Sequence, residues 1–171
     1  MGGPGNDGHW GGIGSDTVMG GSGDDFVNGE WGSDRLVMGG EGGDWVGGSI
    51  GNDRMEGGEG GDFLTDGPFE EASEDVFSGG EGDDILLSDN VPAVRDIVSC
   101  GGGFDRVVAD SMDAVAEDCE MVQIIHGTVD EATEQENAFF ESLPQAQQEF
   151  WGTAPFGGSF FERLAPDPTA G

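Results

Sequence analysis

Apolar residues recur along this chain singly, at intervals of nine residues. Val18, Val27, Leu36, Val46, Met55, Leu64, Phe77, Leu86, Val98 and Val107 each stand two residues after an Asp, and His9 holds the same slot near the start. Such a pattern matches neither the 3.6-residue period of an amphipathic helix nor the alternation of an ordinary half-buried strand. It predicts very short strands, each with one inward side chain, that are stable only when stacked on one another into a narrow continuous core. The phase absorbs one extra residue at Met38 and two insertions, Asp66 to Phe69 and Ser88 to Asn90.

Glycine fills the space between these positions. Gly2-Gly3-Pro4-Gly5-Asn6-Asp7, Gly20-Gly21-Ser22-Gly23-Asp24-Asp25 and Gly79-Gly80-Glu81-Gly82-Asp83-Asp84 are representative, and Cys100-Gly101-Gly102-Gly103-Phe104-Asp105 opens the last clear repeat. Glycine supplies the positive-φ conformations that a sharp turn demands. Each turn ends in an acid, which makes Asp7, Asp16, Asp25, Asp34, Asp44, Asp53, Asp62, Asp84 and Asp105 the candidate metal ligands, with Asp75 a weaker one. Turns that close on one side of a stack gather carboxylates and carbonyls into cages of oxygen, which favour Ca2+ over zinc or copper. Some repeats depart from the pattern. Glu30 and Ser49 replace the second glycine of theirs, and the Asp75 and Asp96 repeats lack the glycine turn altogether. Both of these turns are therefore expected to be metal-free, Asp96 the more so because Arg95 precedes it.

Composition sharpens this picture. Thirty-six acidic residues face five basic ones, giving a net charge of −31, and glycine is the commonest residue at 35. Without a cation the compact state repels itself. No basic patch exists to track nucleic-acid phosphates or an anionic membrane surface. No apolar run is long enough to insert into a membrane, and Met1-Gly2-Gly3-Pro4 does not read as a signal peptide. Cys100 and Cys119 fit a disulfide in an oxidising compartment, two unrelated free thiols being the alternative. No Lys is present to complete a phosphate loop, no twelve-residue EF-hand loop occurs, His9 and His126 with two Cys fall short of a zinc site, and neither His lies in a nucleophile motif. The pairs Asp24-Asp25 and Asp83-Asp84 fall in the repeat frame as one outward residue and one ligand rather than as glycosidase acids. The expectation is a chain that is not an enzyme.

The motif Gly-Gly-x-Gly-x-Asp-x-apolar-x resembles the repeats-in-toxin (RTX, hemolysin-type) calcium-binding family. The repeats ending at Asp7, Asp16, Asp25, Asp44, Asp62, Asp84 and Asp105 carry the resemblance, which extends from about Gly2 to Val122. It implies an all-β fold, a right-handed parallel β-roll with two turns per coil. Asp7, Asp25, Asp44 and Asp62 would then form one column, continuing to Asp84 and Asp105, and Asp16, Asp34, Asp53 and Asp75 the other. The stretch from Cys100 to Glu120 is similar to a terminal segment of secreted family members, in which the two Cys are partners and the segment covers the open edge of the stack.

Composition shifts after Ile125, which divides the chain into a calcium-binding roll with its cap at 2–125 and a helical, aromatic-rich segment at 126–171. Thr128 with Glu131 predicts a helix starting near Val129, and Ser142, Pro144 and Gln145 a second one ending at Gly152. These helices are expected to pack on the roll and cap it; the alternatives are a docking surface for a protein partner or for self-association, or a remnant of a secretion signal. The outward Trp10, Trp31 and Trp45 either add to such a surface or stack along the roll. The functional expectation is a secreted, extracellular or cell-surface module that folds when it binds calcium ions. Two alternatives stand beside it: an adhesin, matrix or filament subunit joined through the roll ends or aromatic tail, and a non-catalytic portion of a larger secreted enzyme.

Overall fold

The computed structural model describes residues 2–67, 73–126 and 129–142. The chain winds as a stack of two-stranded coils. Its strands are β1 (Gly8–Ile13), β2 (Thr17–Ser22), β3 (Phe26–Trp31), β4 (Leu36–Glu41), β5 (Trp45–Ile50), β6 (Arg54–Glu59) and β7 (Phe63–Thr65). They continue as β8 (Val76–Glu81), β9 (Ile85–Ser88), β10 (Ile97–Gly102), β11 (Arg106–Ala109), β12 (Ala114–Val115) and β13 (Met121–Ile124), and the helix α1 (Val129–Ser142) follows. Odd strands form one parallel sheet, β1-β3-β5-β7-β9-β11-β13, and even strands a second, β2-β4-β6-β8-β10-β12. The fold is an all-β parallel β-roll of about six turns.

The core is the thin space between the two sheets. Val27, Val46, Leu64, Leu86 and Val107 enter from one side, and Val18, Val37, Met55, Phe77 and Val98 from the other. Only one residue per strand points inward with any bulk, so each coil depends on its neighbours for burial. His9 pairs with Val27 at the top of this column and is only half-buried.

The inward residue of β4 is Val37, not Leu36. Val37 pairs with Val18 and Met55 and is fully buried, whereas Leu36 pairs with Thr17 on the outer face. The extra residue of this repeat therefore sits at the corner and not at Met38. The N–H of Arg35 donates to the Asp16 carbonyl at 2.9 Å, yet it is Leu36 that stands opposite Thr17, so two residues face one as in a β-bulge.

The segment after Cys100 extends the stack instead of covering it. Ala114–Val115 adds a strand to one sheet and Met121–Ile124 adds one to the other, each continuing the register of its neighbour. The edge simply moves outward: Val122 occupies the core column but is 41% exposed. Cys100 and Cys119 are joined, with Cα atoms 5.2 Å apart, which ties the last coil to the one before it.

The helix begins at Val129, where the capping pattern places it. It lies on the flank of the roll, not over its end. Phe139 is buried on the outer face of the seven-stranded sheet among Phe63, Ile85, Leu87, Val108 and Ile125. The Gln135 side-chain amide donates to the carbonyl of His126 at 2.9 Å, holding the helix near the strand it follows. The second predicted helix lies outside the described residues.

Above the helix an aromatic line continues along the same face. Trp10 and Phe26 have ring centroids 5.6 Å apart, Phe26 and Trp45 stack at 4.3 Å, and Trp45 and Phe63 follow at 6.4 Å. Trp10 and Trp45 thus share one line with Phe26 between them. Trp31 is not part of it: it pairs with Ile13 and Ile50 on one corner of the roll, where all three are exposed.

Candidate metal centre

Each strand is entered through an acid whose side chain turns back into the preceding turn. On the side of the seven-stranded sheet the acids are Asp7, Asp25, Asp44, Asp62, Asp84 and Asp105. The backbone N–H of each donates to Oδ1 of the next: Asp7 to Asp25 and Asp25 to Asp44 at 2.7 Å, Asp44 to Asp62 and Asp62 to Asp84 at 2.8 Å, and Asp84 to Asp105 at 2.9 Å. Asp16, Asp34, Asp53 and Asp75 form the same ladder on the other side. The two columns inferred from alternate repeats are therefore present as two continuous hydrogen-bonded ladders.

The ladders run further than the glycine motif does. Asp75 donates to Asp96 Oδ1 at 2.7 Å, and Asp96 to Asp113 Oδ1 at 2.9 Å. In the other column Asp105 donates to Glu120 Oε2 at 2.9 Å. Asp96 is fully buried in its ladder while Arg95 points to solvent, so the basic neighbour does not intrude. Asp113 and Glu120 escaped the sequence reading because no glycine turn precedes them. Their signal was the shorter one, an acid two residues ahead of an apolar residue: Asp113 before Val115 and Glu120 before Val122.

Beyond the first acid of each ladder, one oxygen of every carboxylate is thus committed to the fold. The other has no such role: Oδ2 of Asp16, Asp25, Asp34, Asp44, Asp62, Asp84, Asp96 and Asp105 is buried without a hydrogen-bond partner. An orphaned anionic oxygen is costly to bury. Glycine makes room beside it. A Cβ on Gly20 would sit 2.5 Å from Asp25 Oδ2 and 2.7 Å from the Gly39 carbonyl oxygen of the next coil. A Cβ on Gly48 would likewise sit 2.7 Å from Asp53 Oδ2. Carboxylate and main-chain oxygens of successive coils therefore converge on space that only glycine leaves open.

Burial pushes the Asp44 carboxyl up to about 6, Asp84 to about 7 and Asp62 to about 8, and the neighbouring carboxylates of the ladder add to the rise. Asp34 and Asp105 move upward for the same reason. These are acids placed where only a proton or a cation can offset the cost of burial. Among the described residues no three acidic, His or Cys side chains converge to hold a metal by themselves. A cation here would be shared between aspartate Oδ2 and turn carbonyls. That all-oxygen donor set fits calcium, a hard ion of high and flexible coordination number.

Where the glycine turn is lost, the interior differs. Asp66 follows Thr65, which pairs with Gly47, so it stands where Gly48 stands one coil earlier. Its carboxyl is buried, and the Asn90 amide donates to its Oδ2 at 2.9 Å. Burial holds it well above the usual carboxylate range, with Asp75, Asp96 and Asp89 adding to the effect. Asp110 and Asp113 fill the next layer and bind main-chain N–H groups of Asn90, Val94, Asp96 and Met112. Here side-chain carboxylates take over the structural role that main-chain turns have elsewhere.

Stacked glycine turns with a carboxylate ladder on each side define a β-roll of metal-binding repeats. In agreement, the family model described as RTX calcium-binding nonapeptide repeat (4 copies) matches residues 10–37, 36–64 and 71–90, and the chain carries this repeat. The repeat is a structural calcium-binding element, not a catalytic one, and calcium is its expected partner. Searches of curated proteins and of solved structures each gave no significant match.

Proposed function

We propose that the chain is a secreted module whose folding is driven by calcium, with roll and terminal strands at 2–125 and an appended segment at 126–171. The observation that carries this reading is the row of buried, partnerless Oδ2 atoms on Asp16, Asp25, Asp34, Asp44, Asp62, Asp84 and Asp105. Without a cation these oxygens and a net charge of −31 oppose compaction. With calcium bound to them and to the facing carbonyls, binding free energy becomes folding free energy. Asp7 and Asp53 complete the proposed ligand set, with Asp75 its weaker member because its Oδ2 already accepts from the Ser73 hydroxyl at 2.8 Å.

Secretion accords with this chemistry. Extracellular calcium modules bind at about 10⁻⁴–10⁻³ M, a range suited to calcium outside the cell. The Cys100–Cys119 bridge is of the kind that persists in oxidising compartments. Among the described residues no helix is long and apolar enough to cross a membrane. The test is far-UV circular dichroism of metal-free chain during calcium titration, with magnesium as control. A cooperative gain of β signal with calcium alone supports the reading; a chain equally folded in chelator overturns it.

A further inference from the structure

We infer that the outer face of the six-stranded sheet is a contact surface for a second copy of this chain, paired side by side about a two-fold axis running along the stack. The helix covers part of the opposite sheet, but nothing among the described residues covers this one. Its two outward columns carry Leu36, Val76 and Ile97 in one and Met19 and Met38 in the other, and Ile97 is half exposed. On a chain of charge −31, the only charged residues in these columns are Arg54 and Glu56.

The distribution of charge around this face argues for a second copy rather than a different partner. Arg35, Arg54 and Arg95, three of the chain's five basic residues, lie along the edge where the strands begin, and among the described residues Glu74 is the one exposed acid between them. Glu56 stands on the other column, and Glu41, Glu59 and Glu81 line the edge beyond it in register. A two-fold axis along the stack, midway between the columns, lays the first column of each copy over the second column of the other. Arg54 then faces Glu56 of the second copy, Arg35 approaches its Glu41, and the acidic edge meets the corner bearing Ile13, Trp31 and Ile50 instead of another acidic edge. Within one chain Arg54 and Glu56 are only loosely paired, at 3.8 Å, so both are available to exchange partners.

Five intervals of ~4.8 Å, across strands of six residues rising ~3.3 Å each, give a face of about 24 by 20 Å, or roughly 480 Å². That is less than the roughly 800 Å² per partner of a standard stable interface. The association is therefore reversible and depends on concentration.

The test is sedimentation equilibrium of the full chain in saturating calcium, with circular dichroism confirming the fold of each variant. Wild type is expected to show a monomer–dimer equilibrium. Arg54→Glu and Glu56→Arg are each expected to weaken self-association at least tenfold, because like charges then meet across the axis. An equimolar mixture of the two variants is expected to recover dimer, which a folding defect could not produce. A monomeric wild type at several hundred micromolar overturns the inference. So does self-association that survives both substitutions, which would locate the contact at the roll end or in residues 143–171.

Discussion

The backbone N–H of Asp25 donates to Oδ1 of Asp44 at 2.7 Å across one coil of the roll, while Oδ2 of the same Asp44 side chain is buried without a partner. The proposed calcium site gives the two oxygens of one carboxylate different tasks, one in the fold and one toward the cation. Asp44→Asn separates them. The amide keeps an oxygen for the Asp25 N–H and removes the charge. The metal-free roll is expected to be at least as stable as wild type, and calcium affinity at that turn to fall tenfold or more by isothermal titration calorimetry. Asp44→Ala also strands the Asp25 N–H, at a cost of about 1–3 kcal/mol. If the Asn variant bound calcium as wild type does, Oδ2 would not be a ligand.

The pH dependence follows from the raised carboxyls. Asp44, Asp84 and Asp62 sit near 6, 7 and 8 in the folded chain against an ordinary value of 3.8. The folded state therefore holds more protons than the unfolded one, and stability falls as pH rises. Without metal, their favourable contribution is fully present below about pH 4 and is lost as pH climbs through 6 to 8. Chelated protein is expected to gain β signal on acidification toward pH 4. Calcium affinity should move the opposite way, rising from pH 5 to 8 as protons cease to compete. A metal-free chain whose β content is flat over this range would contradict the placement of these acids.

The inward side chain of β4 can be checked directly. Val37→Ala is expected to destabilise the calcium-loaded roll by about 1–2 kcal/mol more than Leu36→Ala, since only the former opens a cavity. Thermal melts at fixed calcium distinguish the two, and the reverse order would restore the sequence-based frame.

Backbone strain yields a stabilising change. Glu30 and Ser49 take positive φ, 73° and 71°, at the place in the turn where Gly40 has φ of 133°. A side chain in that region costs on the order of 1 kcal/mol. Glu30→Gly is therefore expected to raise the melting temperature, and Gly40→Ala to lower it more sharply, because its Cβ would collide with the Gly21 carbonyl. A Glu30→Gly variant less stable than wild type would indicate that the glutamate side chain contributes something the turn geometry does not.

Much of this was legible in the sequence because the repeat fixes turn, ligand and core residue at constant offsets. The candidate acids Asp7 to Asp105 follow from that spacing, and their alternation between two columns is what the family resemblance implies. Leu36 was mistaken for the core residue because Leu36 and Val37 are both apolar, so one extra residue can be placed before or after them; only the strand register decides. Asp113 and Glu120 were missed because glycine served as the marker, whereas the ladder requires only an acid at a corner. The site of helix packing was hidden for a different reason. Phe63, Ile85, Leu87 and Val108 flank core positions and face outward, and a period that tracks inward residues says nothing of them.

The alternation of strands between two sheets gives the molecule two units of length. Excising a single nonapeptide would leave every remaining core residue inward and every aspartate at a corner, so the metal columns would survive. It would also send all later strands to the opposite sheet. Phe63, Ile85 and Val108 would part from Trp10, Phe26 and Trp45, and α1 would settle on the other face. The metal-binding scaffold counts in nines, but what is displayed on its surface counts in eighteens, so an array of this kind can change length without rearranging its surface only by whole coils.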